Sequence, residues 1–102
     1  MSAYVVMVRE RVTDLAEMET YSQIAARARE GRAITPLVRY GALRALEGAQ
    51  PDGVVILSFP KMDDAQRWYD SDAYQQAREH RLQGANYQVF IVEGVSTAEN
   101  RP

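Results

Sequence analysis

The sequence contains no cysteine and one histidine, His80. Without cysteine there are no disulfides, thiol nucleophiles, iron–sulfur clusters or cysteine zinc sites. A single histidine also excludes multi-histidine metal sites, so no metal is expected. No apolar run approaches the length of a membrane span, and Met1-Ser2-Ala3-Tyr4-Val5-Val6 lacks the basic start and cleavage site of a signal peptide. No membrane association is expected, and the expected setting is cytoplasmic. Twelve Lys and Arg against fourteen Asp and Glu give a net charge of −2. The arginines form no run: Arg27, Arg29 and Arg32 are balanced by Glu17, Glu19 and Glu30. Nucleic acid is therefore not an expected partner. No glycine-rich phosphate loop is present, because Gly48 and Gly53 bracket a hairpin instead of joining a strand to a helix. There is no nucleophile elbow either.

What is present is an ordinary globular composition, 46% apolar and 25% charged over 102 residues. That is enough for one domain with a real core, near the lower end of comfortable size. Residues 1–95 read as that domain, and residues 96–102 as a polar, flexible tail. Tyr4 to Val8 is a β-rich apolar run. Asp14 with Glu17 has capping-box spacing. Leu15, Met18, Tyr21, Ala25 and Ala28 follow at helical steps, and Gly31 is the expected helix stop. Ile34 to Glu47 reads as a bent edge strand, with Pro36 tolerable at an edge and Gly41 marking the bend. Gln50-Pro51-Asp52-Gly53 reads as the hairpin turn into a strong strand, Val54 to Phe59. From Pro60 a helical pattern runs to Arg81, interrupted at Ser71, a good N-cap for a restarted helix. Tyr87 to Val92 is the last strand.

The order βαββαβ is the split βαβ, or ferredoxin-like, arrangement, an α+β fold. Right-handed crossovers place the helices on one face of a four-stranded antiparallel sheet. The other face does not alternate to polar residues. Tyr4, Val6 and Val8 oppose Val5 and Met7; Val54 and Ile56 oppose Val55 and Leu57; Phe90 and Val92 oppose Val89 and Ile91. Monomers rarely expose such a face, so a second copy packed sheet against sheet is the expected partner. Burying ~500 Å² of apolar surface per subunit would supply roughly 12 kcal/mol before association costs.

Several stretches together resemble the DUF1330 family: Ala45-Leu46-Glu47-Gly48, Ile56 to Pro60, Ala65 to Arg81, and Ile91-Val92-Glu93-Gly94. The most specific piece is Trp68-Tyr69-Asp70-Ser71-Asp72-Ala73-Tyr74, similar to that family's aromatic-Tyr-x-Ser-x-x-Tyr signature. The resemblance covers Tyr4 to Val95. It implies a dimeric α/β-barrel built from two ferredoxin-like subunits. Proteins of that architecture include cofactor-free monooxygenases, haem-degrading enzymes and lactone isomerases, and fold alone does not choose among them. Two residues depart from the pattern: Lys61 stands where a capping Ser is common, and His80 where an apolar residue is usual.

Candidate site residues fall between the helices and the sheet. His80 is a candidate general base or haem ligand; the plainer reading is a surface or partly buried helix histidine without a catalytic partner. Arg81 lies two helical steps from Tyr74 and one from Ala77, on the face toward the sheet. A buried arginine wants a carboxylate, and Glu47 and Glu93, each followed by glycine, are the expected ones. Such a group would be an anion clamp or, more plainly, a structural ion pair. Trp68, Tyr69 and Tyr74 would line a pocket for a small hydrophobic or aromatic ligand or simply pack. Arg39 and Tyr40 flank the Gly41 bend, where side chains are often re-aimed toward sites. No cofactor is expected. The function expected is binding or transformation of such a ligand, as a cofactor-free monooxygenase or isomerase would do; the alternative is a non-enzymatic structural or ligand-binding partner protein.

Overall fold

The computed structural model describes residues 2–95, so the tail expected over residues 96–102 lies outside the described residues. Seven elements follow one another: β1 (Ala3–Val12), α1 (Leu15–Ala28), β2 (Thr35–Arg39), β3 (Gly53–Phe59), α2 (Met62–Asp70), α3 (Asp72–Gly84) and β4 (Ala85–Glu93). The strands form one sheet in the order β2-β3-β1-β4 with every neighbouring pair antiparallel. This is the ferredoxin-like arrangement, with its second helix in two pieces.

Period-2 patterning sets the sheet's two faces. Ala3, Val5 and Met7 of β1 and Val55, Leu57 and Phe59 of β3 are buried against the helices. On the opposite face, antiparallel register aligns Val38, Ile56, Val6 and Phe90 in one row across all four strands. A second row joins Thr35, Ser58, Tyr4 and Val92. No described helix covers this face, and Phe90 and Val92 are 43% and 46% exposed.

Helix entry and exit are tied together. Asp14, in extended conformation, accepts from the Ala16 and Glu17 N–H groups at 3.0 and 3.3 Å. Only half of the expected capping box forms. The Glu17 carboxylate turns instead to His80 Nδ1 at 2.6 Å, and the Asp14 N–H donates to the Gly84 carbonyl at 3.1 Å. Thr13 N–H donates to the same carbonyl at 2.8 Å. Gly84 allows α3 to approach α1 closely, since a Cβ there would sit 2.9 Å from Met18 Cγ. Gly31, the expected stop, takes φ 73° just past the end of α1.

The break in the second helix is a shared cap. Ser71 ends α2 and begins α3 with extended backbone, φ −62° and ψ 148°. Its hydroxyl donates to the Trp68 carbonyl at 2.7 Å and accepts from the Tyr74 N–H at 3.2 Å. One side chain thereby satisfies groups that both helix ends would otherwise leave open. Lys61, at the start of α2, makes no side-chain cap bond.

The edge strand differs from expectation. It was expected to run to Glu47, but β2 stops at Arg39. The bend falls on Tyr40, with φ 53°, and not on Gly41. Tyr40 holds this costly conformation because its ring fills the space over Gly53, where a Cβ would lie 2.6 Å from Tyr40 Cδ1. Its N–H still bonds to the Val54 carbonyl at 2.9 Å. The loop then returns at Asp52, whose N–H donates to the Arg9 carbonyl at 2.7 Å. Among the described residues no helix is long and apolar enough to cross a membrane.

Candidate functional site

Helical spacing on α1 puts Met18, Tyr21, Ser22, Ala25 and Arg29 along one side, facing the sheet at the end where short β2 leaves it uncovered. Met7, Val55 and Leu57 rise from the strands beneath, and Trp68 closes the back. Ala25 is too small to fill the gap. The result is a cavity of about 190 Å³ with Arg9, Arg29, Arg39 and Tyr40 among its lining groups. That lining contains three guanidiniums and neither a carboxylate nor an imidazole.

The three arginines are not equivalent. Arg9 Nε is paired with Asp52 at 2.6 Å, and its guanidinium lies 4.2 Å over the Tyr40 ring. Among the described residues no carboxylate pairs with Arg29 or Arg39. Partial burial, with the Arg39 charge nearby, lowers the pKa of Arg29. Tyr40 also bonds hydroxyl to hydroxyl with Tyr87 of β4. Burial, reinforced by that bond, pushes the Tyr87 phenol well above its ordinary value.

A second hydroxyl pair lies deeper. Tyr21 Oη and Tyr74 Oη are 3.0 Å apart and buried, with the rings edge to face. Burial is the main reason both phenols are raised, and the positive charge of Arg81 opposes the rise. At neutral pH both stay protonated, and Tyr21 is one of the residues that line the cavity.

Arg81 itself is 4% exposed, with its guanidinium 5.2 Å over the Tyr87 ring and its Nε without a partner. The ion pair expected with Glu47 or Glu93 does not form. Glu47 is exposed in the loop after β2, and Glu93 is exposed at the far end of β4. Tyr87 pairs with Arg9 and Glu93 with Ala3 across β1, a separation of roughly 20 Å along a strand at about 3.3 Å per residue. Aromatic faces and phenol hydroxyls take the place of the carboxylate.

The remaining expected residues are distributed as follows. Arg39 and Trp68 line the cavity, as a pocket role requires. Tyr74 is fully buried behind the lining, bonded to Tyr21 and packed against the Trp68 ring at 4.2 Å. Tyr69 is half-buried, its ring 5.5 Å from that of Tyr74, and does not line the cavity. His80 does have an orienting partner, Glu17 at 2.6 Å, but the pair clips α3 to α1 away from the cavity lining. Sequence reasoning missed Arg9 and Arg29 and read Tyr21 only as part of a helix face. One signal was available: Arg29 continues the Met18–Ala25 stripe by one more helical step, a charge on an apolar face. Among the described residues no three His, Asp or Glu side chains converge on a metal site.

The family model described as Domain of unknown function (DUF1330) matches residues 2–95. The chain belongs to DUF1330. No curated protein matches it. A protein of unknown function from Rhodopseudomonas palustris superposes with a TM-score of 0.74 at 14% identity, covering 93% of this chain and 83% of that one. A dimeric ferredoxin-like protein of unknown function from Jannaschia sp. CCS1 gives 0.70 at 15%, covering 92% and 100%. SnoaB from Streptomyces nogalater, a cofactor-independent oxygenase, gives 0.59 at 15%, covering 94% of each chain. At these identities the likeness shows the shared ferredoxin-like fold.

Proposed function

We propose that this DUF1330 chain is a cytoplasmic homodimer that binds a small hydrophobic or aromatic molecule between α1 and the sheet, without a cofactor. The observation that carries the reading is the cavity itself: apolar walls from Met7, Met18, Val55 and Leu57, rimmed by guanidiniums and phenol hydroxyls. Such a combination of apolar volume and few placed polar groups is the usual form of a ligand site. The apolar open face of the sheet supports the dimer, as does the dimeric state of the Jannaschia neighbour.

Turnover, if the ligand is turned over, follows cofactor-free isomerisation or cofactor-free oxygenation, the latter being the activity of the SnoaB neighbour. The cavity lining offers no carboxylate or imidazole base, so a substrate for either reaction has to arrive as an anion or ionise under the field of the arginines. Tyr21, kept protonated by burial, is the donor to a ligand oxygen. The missing base also favours the second reading, a binding protein without chemistry.

Native mass spectrometry and thermal denaturation with a panel of single-ring aromatics test both levels. A dimer is expected, converted to monomer by Phe90→Asp. A ligand at 100 times its Kd should add about 2.7 kcal/mol of stability, and Ala25→Leu should abolish that gain. Oxygen uptake or product formation with a bound compound identifies the enzyme; binding without either identifies the binding protein. A native monomer overturns the dimer. No retained mass and no stabilisation by any panel member overturns the ligand site.

A further inference from the structure

We infer that the cavity's ligand is a single-ring organic carboxylate, with its carboxylate held between Arg29 and Arg39 and its ring on the apolar floor. This rests on the ligand-binding reading above and narrows it.

The geometry is specific about charge. Arg29, the C-cap of α1, and Arg39, the end of β2, line the same cavity from different parts of the fold. Arg29 is half-buried, yet no described carboxylate pairs with it or with Arg39. A cation partly withdrawn from water normally gains a counter-ion in exchange. Here it gains a second guanidinium, whose repulsion adds to burial in lowering the Arg29 pKa. The third arginine at the cavity, Arg9, is already answered by Asp52 at 2.6 Å. Two unanswered planar guanidiniums suit a carboxylate, which each can grip with paired N–H donors.

Size selects the rest of the molecule. An apolar cavity of about 150 Å³ takes up one benzene. The space here is about 190 Å³ and opens to solvent past the exposed Ser22 and Arg39, so one substituted ring fits on its floor and a fused pair would protrude past the rim. Met7, Met18, Val55 and Leu57 give that ring an apolar surface.

Titration calorimetry on the full chain is the test, using benzoate and the hydroxybenzoates, their carboxamides, and 2-naphthoate. At least one single-ring carboxylate should bind tenfold or more tightly than its amide, with affinity falling as salt rises. Arg29→Gln and Arg39→Gln should each cost that carboxylate tenfold or more, leave the amide unchanged, and give a Tm no lower than wild type, because neither side chain is in the core and each change removes like-charge repulsion. The naphthoate should not bind. Equal affinity for acid and amide overturns the carboxylate assignment and leaves the ligand site standing. Binding of naphthoate overturns the size limit. If Arg39→Gln shifts the monomer–dimer equilibrium and not carboxylate affinity, the second copy answers the arginines and the inference falls. No binding by any probe overturns both this inference and the cavity as a single-ring ligand site.

Discussion

Under α2 and α3 the layer between helix and sheet is packed with rings. Phe59, Trp68, Tyr74 and Tyr69 form, in that order, a chain whose successive ring centroids lie 4.2 to 5.5 Å apart. Under α1 the same layer holds a single ring, Tyr21, with Met18, Ala25 and aliphatic strand residues, and about 190 Å³ stays open. The two regions share Trp68, which packs into one and walls the other. Close-packed rings maximise buried area and dispersion contact. An unfilled space gives up those contacts and can be kept only where the packed side supplies the stability. The motif with the strongest sequence signal thus builds the packed side, and the quieter helix lines the cavity.

The comparison can be broken most sharply at Trp68. Trp68→Ala should cost about 3–5 kcal/mol, read by urea denaturation, because its side chain is 1% exposed among other rings. A loss under 1 kcal/mol would mean that the aromatic side is not the stabilising one.

Alkaline pH separates the regions through their phenols. Tyr21 and Tyr74 have folded pKa values above their ordinary 10.0. Below pH 10 both states are protonated, so nothing is lost. As pH rises past 10 the unfolded tyrosines ionise first, and stability falls until the folded values are reached, by up to about 1.4 kcal/mol per pH unit for each tyrosine. Tyr21→Phe should make that fall shallower above pH 10 and leave the pH 7–9 profile unchanged.

Smaller effects sharpen the picture. Ser71→Ala removes both cap bonds and should cost about 1 kcal/mol. The loss would register on the aromatic side, where α2 meets α3, in the hydrogen exchange of the Tyr74 amide. Ala25→Leu, filling the open side, should change stability by less than about 1.5 kcal/mol. A larger loss would show that the space is too constrained to admit a ligand without rearrangement.

His80 and Arg81 show how far sequence periodicity reaches. Helical spacing correctly aimed Arg81 at the sheet, and the side chain is buried there. It could not choose the partner, because that depends on which strand residue arrives opposite. Register brought Tyr87 to Arg81 and left Glu93 at the other end of β4. His80 gained Glu17 for the same reason, since α1 and α3 meet through contacts 63 residues apart in the chain. Likewise the bend in the edge strand moved from Gly41 to Tyr40, because ring packing over Gly53 outweighed the backbone preference of glycine.

Local physics is written in the sequence by itself. Alternation with period 2 settles which strand residues face the helices and shows that both sheet faces are apolar. Steps of three and four settle the helices, and a lone serine with free backbone groups on either side settles the break at Ser71. These depend on neighbours within a few residues, so order βαββαβ and the ferredoxin-like fold follow from the chain alone. Tertiary structure decided the rest. Arg9 and Arg39 come from β1 and β2 and Arg29 from the C-cap of α1, and the space they line is bounded by residues far apart in the chain. Convergence of like charges around a void costs energy locally and has no local signature. It appears only when strand register and helix packing have fixed where distant residues meet.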